Sequence, residues 1–290
     1  MTDARVAPLH GLSVTLLPFG DARSTDGVRN IIFIGRSLFP QCSTSAVALW
    51  LTRSLRLTAN FGYHLTMKND ITLKEFTVNQ ARPLPVFLLL DASGSMAESG
   101  KIDALNRAVQ EMLATFAAEP DVRAGIQIGA IAFGGDVRVH LPLLPAEDAK
   151  TKWRPLVAQG NTPLGATLTK LRVMIEDQTL VPSRSYRPTL VLVSDGQPND
   201  EWQAPLKQLL ESARASKAAR MAMAIGADAD ITMLQSFLNS AESKVFQAHE
   251  ARDIHKFFKW VTMSVTARSR SATPDKIAPI DPLEIDEIRY

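Results

Sequence analysis

The chain has 290 residues, with 32 Lys and Arg against 30 Asp and Glu. That balance gives no overall field to attract nucleic acid or anionic lipid, so partners are selected by local features. Hydrophobic residues make up 46%, enough to bury the core of one large α/β domain or two small ones, and the single cysteine, Cys42, excludes an internal disulfide and points to a reducing compartment, the cytoplasm.

The chain opens on a segment unlike the rest. Residues 1–66 contain no Lys and no Glu, whereas Lys68, Lys74 and Glu75 follow at once. Helical surfaces use both residue types heavily, so a regular amphipathic domain is not expected here. Met67 is the expected true start, with 1–66 as translated upstream sequence; a flexible N-terminal extension is the alternative. The apolar runs Asn30 to Gly35 and Ser45 to Leu51 fall far short of the roughly 20 residues of a membrane span. Leu12 to Phe19 is broken by polar residues and a proline, so no export signal is expected either.

After a lead-in over 67–82, short β-rich runs alternate with helical ones. Strands are predicted at Val86 to Leu90, Gly125 to Phe133, Val137 to Leu141, Thr189 to Ser194, Met221 to Ile225 and Lys244 to Gln247. Helices are predicted at Asp103 to Ala117, Leu164 to Ile175, Ala204 to Ala215, Ile231 to Leu238 and Asp253 to Val265. Val86 to Leu90 is continuously apolar, as a central parallel strand covered on both faces should be. Gly134-Gly135-Asp136 joins two strands with no room for a helix, which predicts one antiparallel edge strand. The pattern is that of an α/β, doubly wound, mostly parallel six-stranded sheet with helices on both faces. It occupies 83–268, followed by a flexible tail over 269–290, where the helical period is lost beyond Thr266.

In such a sheet the functional loops lie beyond the carboxyl ends of the strands, near the point where the chain order reverses. Three loops there carry oxygen donors: Asp91-Ala-Ser93-Gly-Ser95, Gly160-Asn-Thr162-Pro-Leu-Gly165, and Ser194-Asp195-Gly-Gln-Pro-Asn-Asp200. Two carboxylates and three hydroxyls suit a hard divalent cation, and Mg²⁺ keeps several waters, so few protein ligands suffice. With only two carboxylates, such an ion stays electrophilic toward another anion, and an open position would attract an Asp or Glu from a partner. Gly94 is expected to let the backbone turn sharply between the serines.

These residues resemble the metal-ion-dependent adhesion site of von Willebrand factor A (VWA) domains: D-x-S-x-S, then a Thr, then an Asp on a later strand. The resemblance implies metal-site roles for Asp91, Ser93, Ser95, Thr162 and Asp195, with the hydroxyls coordinating directly and the aspartates often acting through water. It also implies a Rossmann-like fold and Mg²⁺, with Mn²⁺ or Ca²⁺ as substitutes. The stretches Gly160-Asn-Thr-Pro-Leu-Gly, Ser194-Asp-Gly-Gln-Pro-Asn-Asp-Glu-Trp202 and Phe257-Phe-Lys-Trp260-Val are similar to those of the TerY-type bacterial group associated with tellurium resistance. That likeness runs from about Arg82 to Ser271. Members of the group are linked with a protein kinase and a phosphatase in stress or metal resistance, which implies an intracellular adaptor and not an enzyme.

Competing readings start from the same residues. Asp91 as a nucleophile of a metal-dependent phosphoryl-transfer or hydrolytic enzyme would need a second carboxylic acid two residues on, where Ser93 stands. None of the five His falls in the three loops, and no P-loop motif is present. His140 and His249 are expected to be structural. Simple helix capping by Asp91, Ser93 and Ser95 would not require Thr162 and Asp195 elsewhere. Asp200 reads as a solvated loop charge or a support for the site, and Trp202 equally as a partner contact or a helix cover. Phe257, Phe258 and Trp260 are expected to pack on the sheet. Ser269, Ser271 and Thr273 stand where a partner kinase could place phosphate.

Overall fold

The structure is a computed structural model and describes residues 81–119 and 123–276. The expectations for 1–66, for most of the lead-in and for the tail beyond residue 276 lie outside the described residues.

Six strands form one sheet: β1 (Arg82–Asp91), β2 (Ala124–Gly134), β3 (Asp136–Pro145), β4 (Thr189–Ser194), β5 (Ala219–Ile225) and β6 (Phe246–Ala248). Their order is β3-β2-β1-β4-β5-β6, with every neighbouring pair parallel except β2 and β3. The antiparallel pair is the hairpin signalled by Gly134-Gly135-Asp136, and β3 lies at the sheet edge. The described residues also form six α-helices, between the strands or after the last: α1 (Lys101–Ala118), α2 (Ala146–Lys152), α3 (Leu164–Glu176), α4 (Gln203–Glu211), α5 (Ile231–Leu238) and α6 (Ala251–Arg270).

The alternation along β1 explains the two-sided core. Leu84, Val86, Leu88 and Leu90 point to one face, where Leu105, Val109, Met112 and Phe116 of α1 and Phe257, Phe258 and Trp260 of α6 meet them. Phe87 and Leu89 point to the other, against Leu164, Leu168 and Leu171 of α3, Leu206 of α4, and Leu234 and Phe237 of α5. From Pro83 to Asp91, β1 is buried throughout. The doubly wound expectation therefore holds, including the packing of the three α6 aromatics.

Several boundaries differ, each for a physical reason. Helix α2 has no apolar period in its sequence, because only Ala146 and Ala149 of its seven residues are buried. Strand β3 runs past Pro142 to Pro145, which an edge strand tolerates because one side of its backbone needs no partner. Helix α4 stops at Glu211, and a single 3₁₀ turn follows at Ala215–Lys217; the N–H groups of Arg214 and Ala215 donate to Glu176 instead of continuing the helix. Helix α6 begins at Ala251, where Glu250 and Asp253 form a capping box, and continues to Arg270. Its last turn is held by Arg268, which is 3% exposed and donates to Thr189 Oγ1 and to the carbonyls of Arg187 and Pro274. Asp275 accepts from Arg187 N–H and lies 3.7 Å from Arg268 Nη2. The described part of the expected tail, through Lys276, is thus packed on the amino edge of the sheet. Among the described residues no helix is long and apolar enough to cross a membrane.

Candidate metal centre

The chain runs β1 to β2 on one side of the first strand and returns to β4 on the other. The loops after β1 and β4 therefore diverge, and a crevice opens between them at the carboxyl edge. Register brings their ends level. Leu90 pairs with Val193, so the next residues, Asp91 and Ser194, emerge side by side.

Asp91 is fully buried, and both of its oxygens accept hydrogen bonds. Ser93 N–H donates to Oδ1 at 2.9 Å, and Ser194 Oγ donates to Oδ2 at 2.6 Å. Ser93 Oγ lies 3.0 Å from Ser95 Oγ, which donates to Asp195 Oδ1 at 2.7 Å. Lys101 Nζ donates to the other oxygen, Asp195 Oδ2, at 2.8 Å. The result is a continuous hydrogen-bonded series from Ser194 through Asp91, Ser93 and Ser95 to Asp195. Burial pushes the Asp91 carboxyl above its ordinary range; the bonds from Ser194 and Ser93 oppose that, and the charge on Asp195 adds to it.

Thr162 arrives from the third loop and is 7% exposed. Main-chain bonds lace that loop to both others: Gln159 N–H to Ala92 O, Gly94 N–H to Gly160 O, and Asn199 N–H to Thr162 O. The lacing demands glycine at Gly134, Gly160 and Gly165, the last because a Cβ there would stand 1.9 Å from Glu201 O. A Cβ on Gly134 would stand 2.1 Å from Ala92 O, and one on Gly160, whose φ is +69°, would stand 2.4 Å from Gly135 Cα. Gly94, by contrast, does not have a positive φ, and a Cβ there would meet only Gly160 O at 3.5 Å. The sharp turn lies later, at Ser99 and Gly100, where the 3₁₀ segment Gly94–Gly100 breaks before α1.

Asp91, Ser93, Ser95 and Asp195 are therefore joined by hydrogen bonds with the Thr162 loop laced beside them, though two of their supports were not singled out in the sequence. Ser194 and Lys101 contact the carboxylates directly. Asp200 is not a solvated loop charge but a support reached through the main chain: Oδ1 accepts from Gly165 N–H at 2.9 Å and Oδ2 from Ala166 N–H at 3.0 Å, so it caps α3 from the β4 loop. The apolar helix start after a loop with no side-chain cap of its own was the available signal. His140 is structural, as expected: Nε2 meets Arg154 O at 2.7 Å and the ring stands edge-on to Trp153, and burial lowers its pKa most. Trp202 is half-buried against the α3–α5 core.

The donor set fits a hard divalent ion. Two buried carboxylates face each other across hydroxyls, with oxygen atoms throughout, and their mutual repulsion favours a cation between them. Among the described residues no group of three or more His, Cys, Asp or Glu forms an alternative metal cluster.

Comparison with known proteins agrees with the architecture. The family model described as von Willebrand factor type A domain matches residues 86–260. No curated protein matches the chain. Among solved structures, proximal thread matrix protein 1 from the mussel byssus, with a zinc-occupied MIDAS motif, is similar at 20% identity and a TM-score of 0.51, over 62% of this chain and 47% of that one. A von Willebrand factor type A protein from Catenulispora acidiphila gives 21% identity and a TM-score of 0.52, over 66% of this chain and 43% of that one. The open form of the pilus adhesin SpaC from Lactobacillus rhamnosus GG gives 17% and 0.54, over 66% of this chain and 31% of that one. The chain thus spans less than half the length of each of these relatives.

Proposed function

The chain belongs to the von Willebrand factor type A domain family, and from that premise we propose that it is an adaptor that binds an acidic side chain of a partner protein through a divalent ion. Domains of this family serve in general as protein-interaction modules. The observation that carries the proposal is the hydrogen-bonded set of Asp91, Ser93, Ser95 and Asp195 at the sheet's switch point, with the Thr162 loop laced to it by main-chain bonds. Ser93, Ser95 and Thr162 would offer hydroxyls to the ion, and Asp91 and Asp195 would balance its charge. The bound ion supplies electrophilic character toward an anion. The chain's own contribution is to hold two carboxylates dry, close and oriented: Ser194 fixes Asp91, and Ser95 fixes Asp195.

Mg²⁺ is the ion we favour, because the donors are all hard oxygens. The zinc in the mussel protein's motif supports a divalent ion at this kind of site. We further place the chain in the TerY-type, tellurium-resistance-associated group, acting in the cytoplasm in a stress response with a kinase and a phosphatase as partners. The support is the loop and helix stretches around Thr162, Asp195 and Trp260 together with the single cysteine. The enzymatic alternative finds no support in the geometry of Asp91, which is fully buried with both oxygens already engaged.

The test is capture of the partner from cell extract with Mg²⁺, with EDTA, and with the Asp91→Ala protein. Retention of the same partner under all three conditions overturns the ion-bridged mechanism. Loss with EDTA and with Asp91→Ala, and recovery on adding Mg²⁺ back to the wild type, is the expected outcome.

A further inference from the structure

Lys101 stands in a place that its own helix does not favour. It is the first residue of α1, and the opening turn of a helix carries partial positive charge that repels a cation. What stabilises the ammonium there is Asp195. Nζ lies 2.8 Å from Oδ2, with the lysine side chain 19% exposed and the aspartate side chain fully buried. The lysine lies beside Gly226, just past β5, where a Cβ would rest in ordinary contact at 3.7 Å from Nζ and 3.9 Å from Cε. The left-handed pair Ser99 and Gly100 sets the angle at which α1 begins, and so aims Lys101 back across the crevice.

The charges then compete. Asp91 and Asp195 together offer two negative charges to a divalent ion, and Lys101 already neutralises one of them. Nζ and Ser95 Oγ hold the two oxygens of Asp195, so the carboxylate has no oxygen left without a donor. Resting on the reading that this crevice holds a divalent ion, we propose that Lys101 is an internal competitor for that ion, a tethered cation that occupies Asp195 in the ion-free protein and sets how tightly the ion is held. A lysine that only anchored α1 would leave ion affinity unchanged when removed. One that oriented Asp195 for the ion would lower it. A competitor raises it.

The experiment is calorimetric titration of MgCl₂ and of MnCl₂ into the full chain at fixed ionic strength, for the wild type, Lys101→Gln and Lys101→Arg, with thermal unfolding of each with and without ion. Lys101→Gln keeps an amide donor toward Asp195 and removes the charge. Its expected affinity is about tenfold or more tighter than wild type, because a unit charge within a few ångströms of the ion is removed. Lys101→Arg stays near wild type, and the ion raises the unfolding temperature of Lys101→Gln by more than that of the wild type. Equal or weaker binding by Lys101→Gln overturns the competitor role while leaving the ion site intact. Heat and melting shifts absent from both wild type and Lys101→Gln overturn the ion site itself, and this inference with it. If Lys101→Gln folds only in the presence of ion, that rescue supports competition; a protein that stays unfolded with ion present counts against it.

Discussion

Asp91 carries its charge where the fold offers least hydration, and that cost sets its behaviour. Its native pKa is raised, first by burial, so ion-free stability is fully present where the group is protonated in both states and is lost as pH rises through the raised value. Asp91→Asn removes the cost while keeping hydrogen-bond partners for Ser93 and Ser194. The expected result is an ion-free variant at least as stable as wild type at neutral pH, with a flatter stability profile from about pH 4 upward and no melting shift on adding Mg²⁺; denaturant titrations across pH check all three. Ser194 works in the opposite direction. Its 2.6 Å bond is one of the two that hold the buried carboxylate, so Ser194→Ala should cost about 1–3 kcal/mol in urea unfolding, and it should weaken Mg²⁺ binding measured by calorimetry.

Among the elements, α3 shows how the site is assembled from parts distant in sequence. Its amino end has no side-chain cap of its own, and Asp200 supplies both acceptors from the β4 loop, 35 and 34 residues away. That contact ties the Thr162 loop to the Asp195 loop. Asp200→Ala should therefore lower stability by about 0.5–2 kcal/mol and also loosen Thr162, so that Mg²⁺ affinity falls although Asp200 touches none of the five donors. Unchanged ion affinity alongside reduced stability would limit Asp200 to a cap. The elements themselves were legible wherever one face is apolar at a regular period: α1, α3, α5 and β4 stand within about two residues of expectation. Helix α2 was not, because two alanines make a period too weak to read.

Across the whole molecule, the candidate site lies at the carboxyl edge of the sheet and a buried arginine network lies at the amino edge. Arg268 joins the end of α6 to β4, to the segment before it and to the 3₁₀ turn at Pro274–Lys276. A buried guanidinium with that many acceptors leaves all of them unpaired when truncated. Arg268→Ala should cost about 3–5 kcal/mol in equilibrium unfolding while leaving the Mg²⁺ affinity of the folded fraction unchanged, since the network lies at the opposite end of the strands. A parallel loss of ion affinity would show that the two edges are coupled.

Sequence by itself determined the alternation of strand and helix, the central buried strand, the edge hairpin and the five oxygen donors, because each is written in local periodicity or in a short motif next to an apolar run. Strand order, the level pairing of Asp91 with Ser194, the reach of Lys101 to Asp195 and the capping of α3 by Asp200 were decided only by the tertiary structure. The first two contacts join residues 103 and 94 apart. A serine in a strand, a lysine opening a helix and an aspartate in a loop carry no local mark of the carboxylate or amide they will meet. The sheet's register and the close approach of its glycine-lined loops bring them together.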